Sequence, residues 1–195
     1  MKLILASQSP RRKEILNSVG LNFEVMPVDA DETLPEGIEA ADAVTLLARR
    51  KAKALLDAHP ELSDSVILAA DTLVECFGEI LGKPEDKEDA RRMLTMLCGC
   101  GSAVHTGVCI AYKGKFATTL ETAYVTFDEM SAEEIEDYIS TDEPYDKAGG
   151  YAVQGRAALY IAGVTGDWYS VVGLPIHAVK NLLDEEYGIR IKEID

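Results

Sequence analysis

The stretch from Leu3 to Leu16 constrains the fold of this chain more than any other part of the sequence. It opens with a short apolar run that predicts a β-strand. Ser9 then stands directly before Pro10, the order typical of a helix N-cap followed by proline at the first helical position. Gly20 is a typical helix stop. The pattern therefore predicts a strand, a tight turn and a helix.

The turn between this strand and this helix carries groups that favour an anion. A helix start offers unpaired N–H groups and the positive end of the helix dipole. Here it is flanked by the hydroxyls of Ser7 and Ser9 and by the guanidinium groups of Arg11 and Arg12. The combination predicts capture of an anion such as phosphate. An ordinary capped helix with exposed arginines is the alternative.

Length and composition narrow the class of protein. The 195 residues, 47% of them hydrophobic, are enough for a real core, and we expect one domain over residues 1–195. No charged segment leads into an apolar one at the start, and no apolar run is long enough to span a bilayer. We therefore expect a cytoplasmic protein with no membrane partner.

The net charge of the chain indicates what kind of ligand it binds. The net charge is −15, whereas a protein that holds DNA or RNA by its backbone normally has a basic face. A small anionic ligand in a locally basic pocket is therefore expected, and polymeric nucleic acid is not. The four cysteines lack C-x-x-C spacing and the three histidines lack zinc spacing, so free thiols are predicted.

Residues 39–58 show a long helical pattern with one unusual member. Val44, Ala48 and Leu55 fall on a single apolar stripe, and Lys51 lies on the same stripe. One interpretation is a lysine whose stem packs while its ammonium reaches water. The other is a lysine directed at a bound phosphate.

The apolar run 65–70 predicts a strand buried on both faces. Asp71 is expected at its end, and ligands of open α/β sheets bind beyond the carboxyl ends of strands. An aspartate there is well placed for chemistry. Capping of a turn by Asp71 and Thr72 is the alternative.

The loop 142–155 is the most distinctive in the chain. Gly149 and Gly150 allow a backbone to approach a ligand closely, and Gln154 offers both a donor and an acceptor for reading the edge of a base. A generic turn is the alternative.

The remaining pattern sets the fold class. Helices are expected at 86–98, after the capping box that begins at Ser131, and from Pro175. A long β-hairpin is expected over 102–127, and a shorter one turns at Gly78. Strands and helices alternate early with a hairpin in the middle, which predicts an α/β or α+β chain with a mixed sheet.

Five ordered motifs make the chain resemble the Maf family of nucleotide pyrophosphatases. They are Ser7-x-Ser9-Pro10-Arg11-Arg12; Arg49-Arg50-Lys51-Ala52; Ala70-Asp71-Thr72 with Gly82-Lys83-Pro84; His105-Thr106-Gly107-Val108; and Asp146-Lys147-Ala148-Gly149 leading to Gln154-Gly155. The closing family element matches 171–175, but Ser170 replaces its usual asparagine. The resemblance implies an elongated mixed sheet flanked by helices, with two lobes around a deep cleft, as in Maf and ITPase folds.

The resemblance also implies roles for individual residues. Asp71 would be the catalytic base, although a metal-ligand role for it is left open, and Glu32 and Asp31 would hold a divalent metal, Mg²⁺ or Mn²⁺. Solvation is the alternative for those two acids. Arg12, Thr72 and Gln154 would set specificity. The phosphate-binding residues would be Ser7, Arg11, Arg12, Lys51 and Lys83.

The implied activity is hydrolysis of dTTP and UTP to the monophosphate and pyrophosphate. A 7-methyl-GTP pyrophosphatase is an alternative that Gln154 disfavours, and a nucleotide-binding regulator of septum formation is another. The family is often dimeric, so a homodimer is a further expectation. The chain has no Gly-x-x-x-x-Gly-Lys-Ser/Thr loop, which disfavours a P-loop ATPase.

Overall fold

The computed structural model describes residues 1–194 as a mixed α/β protein. Its strands are β1 Leu3–Leu5, β2 Glu24–Val25, β3 Val66–Cys76, β4 Glu79–Leu81, β5 Gly101–Tyr112, β6 Lys115–Phe127 and β7 Ile161–Thr165. Its α-helices are α1 Pro10–Ser18, α2 Ala40–Ala58, α3 Lys87–Leu97, α4 Ala132–Ile139, α5 Trp168–Val172 and α6 Ile176–Tyr187. This confirms the predicted class.

The strands join in one mixed sheet of order β2-β1-β3-β5-β6-β7, and β4 pairs with β3. β1 runs parallel to both of its neighbours, with Ile4 opposite Ile67 of β3 and Glu24 of β2. The β3–β4 and β6–β7 pairs are antiparallel. The parallel pairs require helical crossovers, and α1 and α2 lie in the connecting segments.

The described residues divide into two compact units. The first contains residues 1–71, 106–121 and those from 173 onward, and the second contains 72–105 and 122–172. The first unit has a core in which α2 packs with β1, β3 and β5, and the members buried there include Ile4, Ala48, Leu55, Ile67 and Cys109. The second unit has its own core, which includes Leu81, Leu94, Phe127, Ile135 and Tyr138.

The strand predicted at 65–70 is longer in the structure. β3 runs to Cys76, so Asp71 lies in the middle of an eleven-residue strand and not at its end. The reason is that its last residues, Val74–Cys76, pair with β4 across a hairpin, while the pairing with β1 ends at Leu68. Asp71 still lies three residues beyond that parallel pairing. β2 is only two residues long.

The first turn differs from the prediction in one respect. α1 begins at Pro10 as predicted, and Ser9 occupies the N-cap position, but its side chain makes no capping hydrogen bond. The hydroxyl of Ser7 instead accepts the Ser9 N–H at 3.2 Å. The serine two residues earlier therefore stabilises the turn.

One glycine allows α2 to approach the sheet closely. A Cβ atom at Gly107 of β5 would overlap the backbone carbonyl group of Val44 in α2. Only a residue without a side chain permits this approach, which fixes the helix that carries Lys51. The His-Thr-Gly-Val motif thus has a packing role.

The other predicted elements are confirmed. The hairpins turn at Phe77-Gly78 and Lys113-Gly114, where all four residues have the positive φ that a type I′ hairpin loop requires. The capping box at Ser131 is formed with Glu134. Within residues 1–194, no helix combines the length and the apolar character needed to cross a membrane.

Candidate active site

Ser7 and Arg12 form a fixed pair at the end of β1. The Ser7 side chain is buried, and its Oγ accepts a hydrogen bond from Arg12 Nη1 at 3.1 Å as well as the one from the Ser9 N–H. Strand β1 ends at Leu5, two residues before Ser7, and α1 begins immediately after Ser9, so the turn brings the hydroxyl and the guanidinium together. The predicted strand-turn-helix does bring these two polar side chains together.

Arg12 also ties the first helix to a distant part of the same unit. Its Nε donates to the carbonyl oxygen of Gly173 at 2.8 Å. Burial lowers the pKa of the Arg12 guanidinium. The Asp71 carboxylate raises this pKa, the Arg11 charge lowers it further, and the Glu32 carboxylate raises it, so that the net pKa is lowered. Both carboxylates are thus close enough to act on the guanidinium. Sequence reasoning missed the Gly173 partner, because a bond to a backbone carbonyl leaves no side-chain signal.

Arg12→Lys is expected to lower the free energy of unfolding by about 1–2 kcal/mol, because the single ammonium nitrogen of lysine does not reproduce the two separate donors, Nε and Nη1, that bond the Gly173 carbonyl and the Ser7 hydroxyl. Urea unfolding of the wild type and the variant measures this difference. Lys13→Arg, on the same helix, is the matched control and should change it by less than about 0.5 kcal/mol. A stability equal to that of the wild type would contradict the bonding described for Arg12.

Lys51 joins two carboxylates in the first unit. Its Nζ donates in a short contact to Oδ1 of Asp71 and forms an ion pair with Oε1 of Glu32 at 2.8 Å. The Lys51 and Asp71 side chains are only 16% and 13% exposed, whereas Glu32 is 63% exposed. The ammonium is therefore held inside the unit by Asp71, and the interpretation that it extends into water is wrong.

The two acidic residues predicted to hold a metal have different environments. Asp31 bonds its own turn, since Oδ1 accepts the Thr33 N–H at 2.9 Å, and its Oδ2 lies 3.8 Å from Arg50 Nη1. The backbone and side-chain bonds from Thr33 lower the pKa of Asp31, and Arg50 adds to this effect. Glu32 instead faces Lys51. The structure thus separates Glu32, which shares a partner with Asp71, from Asp31, which does not.

The donor set is suited to a metal that also binds substrate. Across residues 1–194, no group of three or more histidine, cysteine or acidic side chains is arranged to hold a metal alone. Mg²⁺ is commonly bound by one or two carboxylates plus phosphate oxygens and water. Asp71 and Glu32, which share Lys51, match that smaller set.

Three of the predicted site residues belong to the second unit. Thr72 follows Asp71 on β3 and is half-buried, Lys83 is exposed after β4, and Gln154 is exposed in a turn. Lys83 lines an open cavity of about 600 Å³ near the start of α3, together with Asp86 and Asp89. Their predicted roles toward a nucleotide stay predictions.

Two motif residues have partners within the second unit. Nδ1 of His105 lies 2.9 Å from Oγ1 of Thr122, and its Nε2 lies 3.5 Å from Glu75, which agrees with a structural interpretation of this histidine. Ser170, which replaces the family asparagine, is fully buried. Its hydroxyl donates to the Asp167 carbonyl at 2.8 Å. The serine therefore stabilises its own helical turn.

Comparison with known proteins adds to this geometry. The family model described as Maf-like protein matches residues 2–186. The chain is 47% identical over 175 residues to a dTTP/UTP pyrophosphatase of Bacillus cytotoxicus, covering 90% of each chain. It is 45% identical over 184 residues to a dTTP/UTP pyrophosphatase of Moorella thermoacetica, covering 93% of each. The structure of the Staphylococcus aureus Ham1 protein is similar at 15% identity with a TM-score of 0.46, over 65% of this chain and 72% of that one.

Proposed function

The chain belongs to the Maf family, and we propose that it is a nucleoside triphosphate pyrophosphatase acting on dTTP and UTP. The observation that carries the proposal is the cluster of Asp71, Lys51 and Glu32 beside Arg12. It combines carboxylates and cations of the kinds that hydrolysis of a phosphoanhydride requires. The two relatives compared above, which match most of the length of the chain at 45–47% identity, are named for the activity proposed here.

Cleavage between the α- and β-phosphates needs charge neutralisation on the leaving pyrophosphate. In the proposed reaction a water oxygen bonds to the α-phosphorus, the bond between the α-phosphorus and the bridging oxygen breaks, and its electron pair leaves on that oxygen with pyrophosphate. We propose that cationic and hydroxyl side chains bind the phosphate oxygens and stabilise the negative charge that develops on them. These residues are Ser7, Arg11, Arg12, Lys51 and Lys83.

Asp71 is the proposed acceptor of the proton that the attacking water loses. It lies inside the unit and its Oδ1 is bound by Lys51, which orients the carboxylate and leaves Oδ2 for the water. A divalent cation, Mg²⁺ or Mn²⁺, would be held by Glu32, joined by Asp71 if that carboxylate serves as a metal ligand and not as the base, and would supply Lewis-acid stabilisation of the phosphate oxygens when bound. Asp31 is left out of the proposed metal site, because its carboxylate accepts the Thr33 N–H within its own turn.

Specificity is proposed to depend on Gln154, Thr72 and Arg12. A carboxamide matches the adjacent donor and acceptor on the edge of uracil or thymine. We further propose that residues 1–195 act as one pyrophosphatase domain in the cytoplasm, as a homodimer, as the family resemblance implies.

The proposal is tested with purified protein, Mg²⁺ and a panel of triphosphates: dTTP, UTP, CTP, ATP, GTP, ITP and 7-methyl-GTP. Pyrophosphate and orthophosphate are measured separately. We expect pyrophosphate released chiefly from dTTP and UTP. Orthophosphate as the product would exclude α–β cleavage, turnover led by 7-methyl-GTP would overturn the substrate assignment, and binding with no turnover would favour a nucleotide-sensing role.

A further inference from the structure

We propose that Glu143 is a positioning residue that fixes the backbone on both sides of Gln154 and thereby sets the discrimination between uracil and cytosine bases. The inference rests on the proposed function, since it assumes that Gln154 contacts the base. All of the groups that carry it belong to the second unit.

The Glu143 carboxylate binds the segment that follows Gln154. Its Oε2 accepts the backbone N–H of Arg156 at 3.0 Å, and its Oε1 accepts that of Ala157 at 3.3 Å. A Cβ atom at Gly155 would overlap this carboxylate. The glycine after Gln154 is therefore required for the carboxylate to lie directly beneath the loop.

Tyr138 of α4 extends the same connection to the residues before Gln154. Its hydroxyl donates to Glu143 Oε1 at 2.9 Å and accepts the Ala152 N–H at 3.3 Å. The Gly155 N–H closes the turn by donating to the Ala152 carbonyl at 3.0 Å. Backbone hydrogen bonds to one carboxylate and one phenol oxygen thus fix the chain two residues on either side of Gln154.

The protonation states suit this arrangement. Burial raises the pKa of Glu143, but hydrogen bonds from the Arg156 N–H, Tyr138 and the Ala157 N–H outweigh it, and the net pKa is lowered. Burial and the bond to Glu143 raise the pKa of Tyr138. The carboxylate is thus ionised and only accepts, while the phenol stays protonated and donates.

Fixing the backbone matters because of what Gln154 has to distinguish. Its side chain is exposed, and within residues 1–194 its amide has no hydrogen-bond partner that would orient it. Uracil and thymine present an acceptor and an N–H donor where cytosine presents a donor and an acceptor. A carboxamide carried on a mobile main chain can shift to satisfy either pattern, whereas a fixed main chain presents it to the base from one position, and the proposed discrimination depends on that position.

The test compares Glu143→Gln and Tyr138→Phe with the wild type, with Gln154→Ala as the reference for complete loss of the amide. Asp142→Asn is the matched control, because it removes the same charge from the adjacent, exposed residue. The readouts are the UTP to CTP ratio of kcat/KM and the hydrogen exchange of the Ala152, Arg156 and Ala157 amides. Thermal unfolding identifies any variant that does not fold.

We expect Glu143→Gln to lower the UTP to CTP ratio by about three- to tenfold, toward that of Gln154→Ala, mainly through KM for UTP. Exchange at Arg156 and Ala157 should accelerate, and Tyr138→Phe should accelerate exchange at Ala152. Asp142→Asn should change neither readout. A folded Glu143→Gln variant that keeps the wild-type UTP to CTP ratio, while Gln154→Ala loses it, would overturn the inference. If Glu143→Gln does not fold, the same comparison is made with Tyr138→Phe.

Failure of the proposed function gives a different pattern. If the wild type hydrolyses no triphosphate, the proposed function fails, and the same comparison is made with dissociation constants for UTP and CTP. A wild-type preference for UTP that falls in Glu143→Gln supports the positioning role in that case too. Equal wild-type affinities for UTP and CTP would overturn it.

Discussion

Asp71→Asn is expected to lower kcat for dTTP and UTP by about 10²–10⁴-fold, the range for loss of a general base. Asparagine keeps the shape of the side chain and an oxygen for Lys51, whose ammonium also retains Glu32. The variant should therefore stay folded and bind UTP. Steady-state kinetics with pyrophosphate detection measures the change, and equilibrium binding of UTP shows whether the nucleotide is still held.

The control for Asp71→Asn lies on the same strand. Glu75→Gln removes a carboxylate from β3 that lies near His105 in the second unit. It should leave kcat within about twofold of the wild type, since Glu75 has no role in the proposed reaction. An Asp71→Asn protein with more than a third of the wild-type kcat would contradict the assignment of Asp71.

The Mg²⁺ dependence separates the two roles left open for Asp71. If the carboxylate is chiefly a metal ligand, Asp71→Asn raises the Mg²⁺ concentration needed for half-maximal activity, and excess Mg²⁺ restores part of kcat. If it is chiefly the base, the residual activity is low at every Mg²⁺ concentration. Glu32→Gln should shift the Mg²⁺ dependence in either case, because Glu32 is the second proposed donor.

Local sequence rules anticipated most of the elements that carry the site. The strand Leu3–Leu5, the helix from Pro10, the capping box at Ser131 and the hairpin at Gly78 each follow from residues close together in the chain. The position of Lys51 on the apolar stripe of α2 was also visible, because helical periodicity alone places it there. Such features depend on contacts within a few residues.

The features that escaped prediction depend on partners far apart in the sequence. The length of β3 is set by its pairing with β4, so Asp71 is inside a strand that a local pattern would end there. The bond from Arg12 to the Gly173 carbonyl spans 161 residues. The choice of Glu32 over Asp31 as the partner of Lys51 depends on how one turn folds, which neighbouring carboxylates do not reveal.

Lys51→Met is expected to lower the free energy of unfolding by about 2–3 kcal/mol, because it leaves the 13%-exposed Asp71 carboxylate without its paired ammonium. The value lies below the usual cost of an uncompensated buried charge, since Arg12 still acts on Asp71 electrostatically. Urea unfolding measures it. Lys53→Met, on the exposed face of α2 where Lys53 forms an ion pair with the exposed Asp57, is the matched control and should cost less than about 1 kcal/mol.

The double variant Lys51→Met with Asp71→Asn provides the decisive comparison. Removing the carboxylate along with the ammonium should restore part of the stability, so the double variant should be more stable than Lys51→Met alone. If the changes in the free energy of unfolding of the two single variants add up to that of the double variant within about 0.5 kcal/mol, the two side chains are not coupled. Coupling would mean that the Lys51 ammonium holds the Asp71 carboxylate in place within the first unit, in the position from which we propose that it accepts a proton or binds a cation.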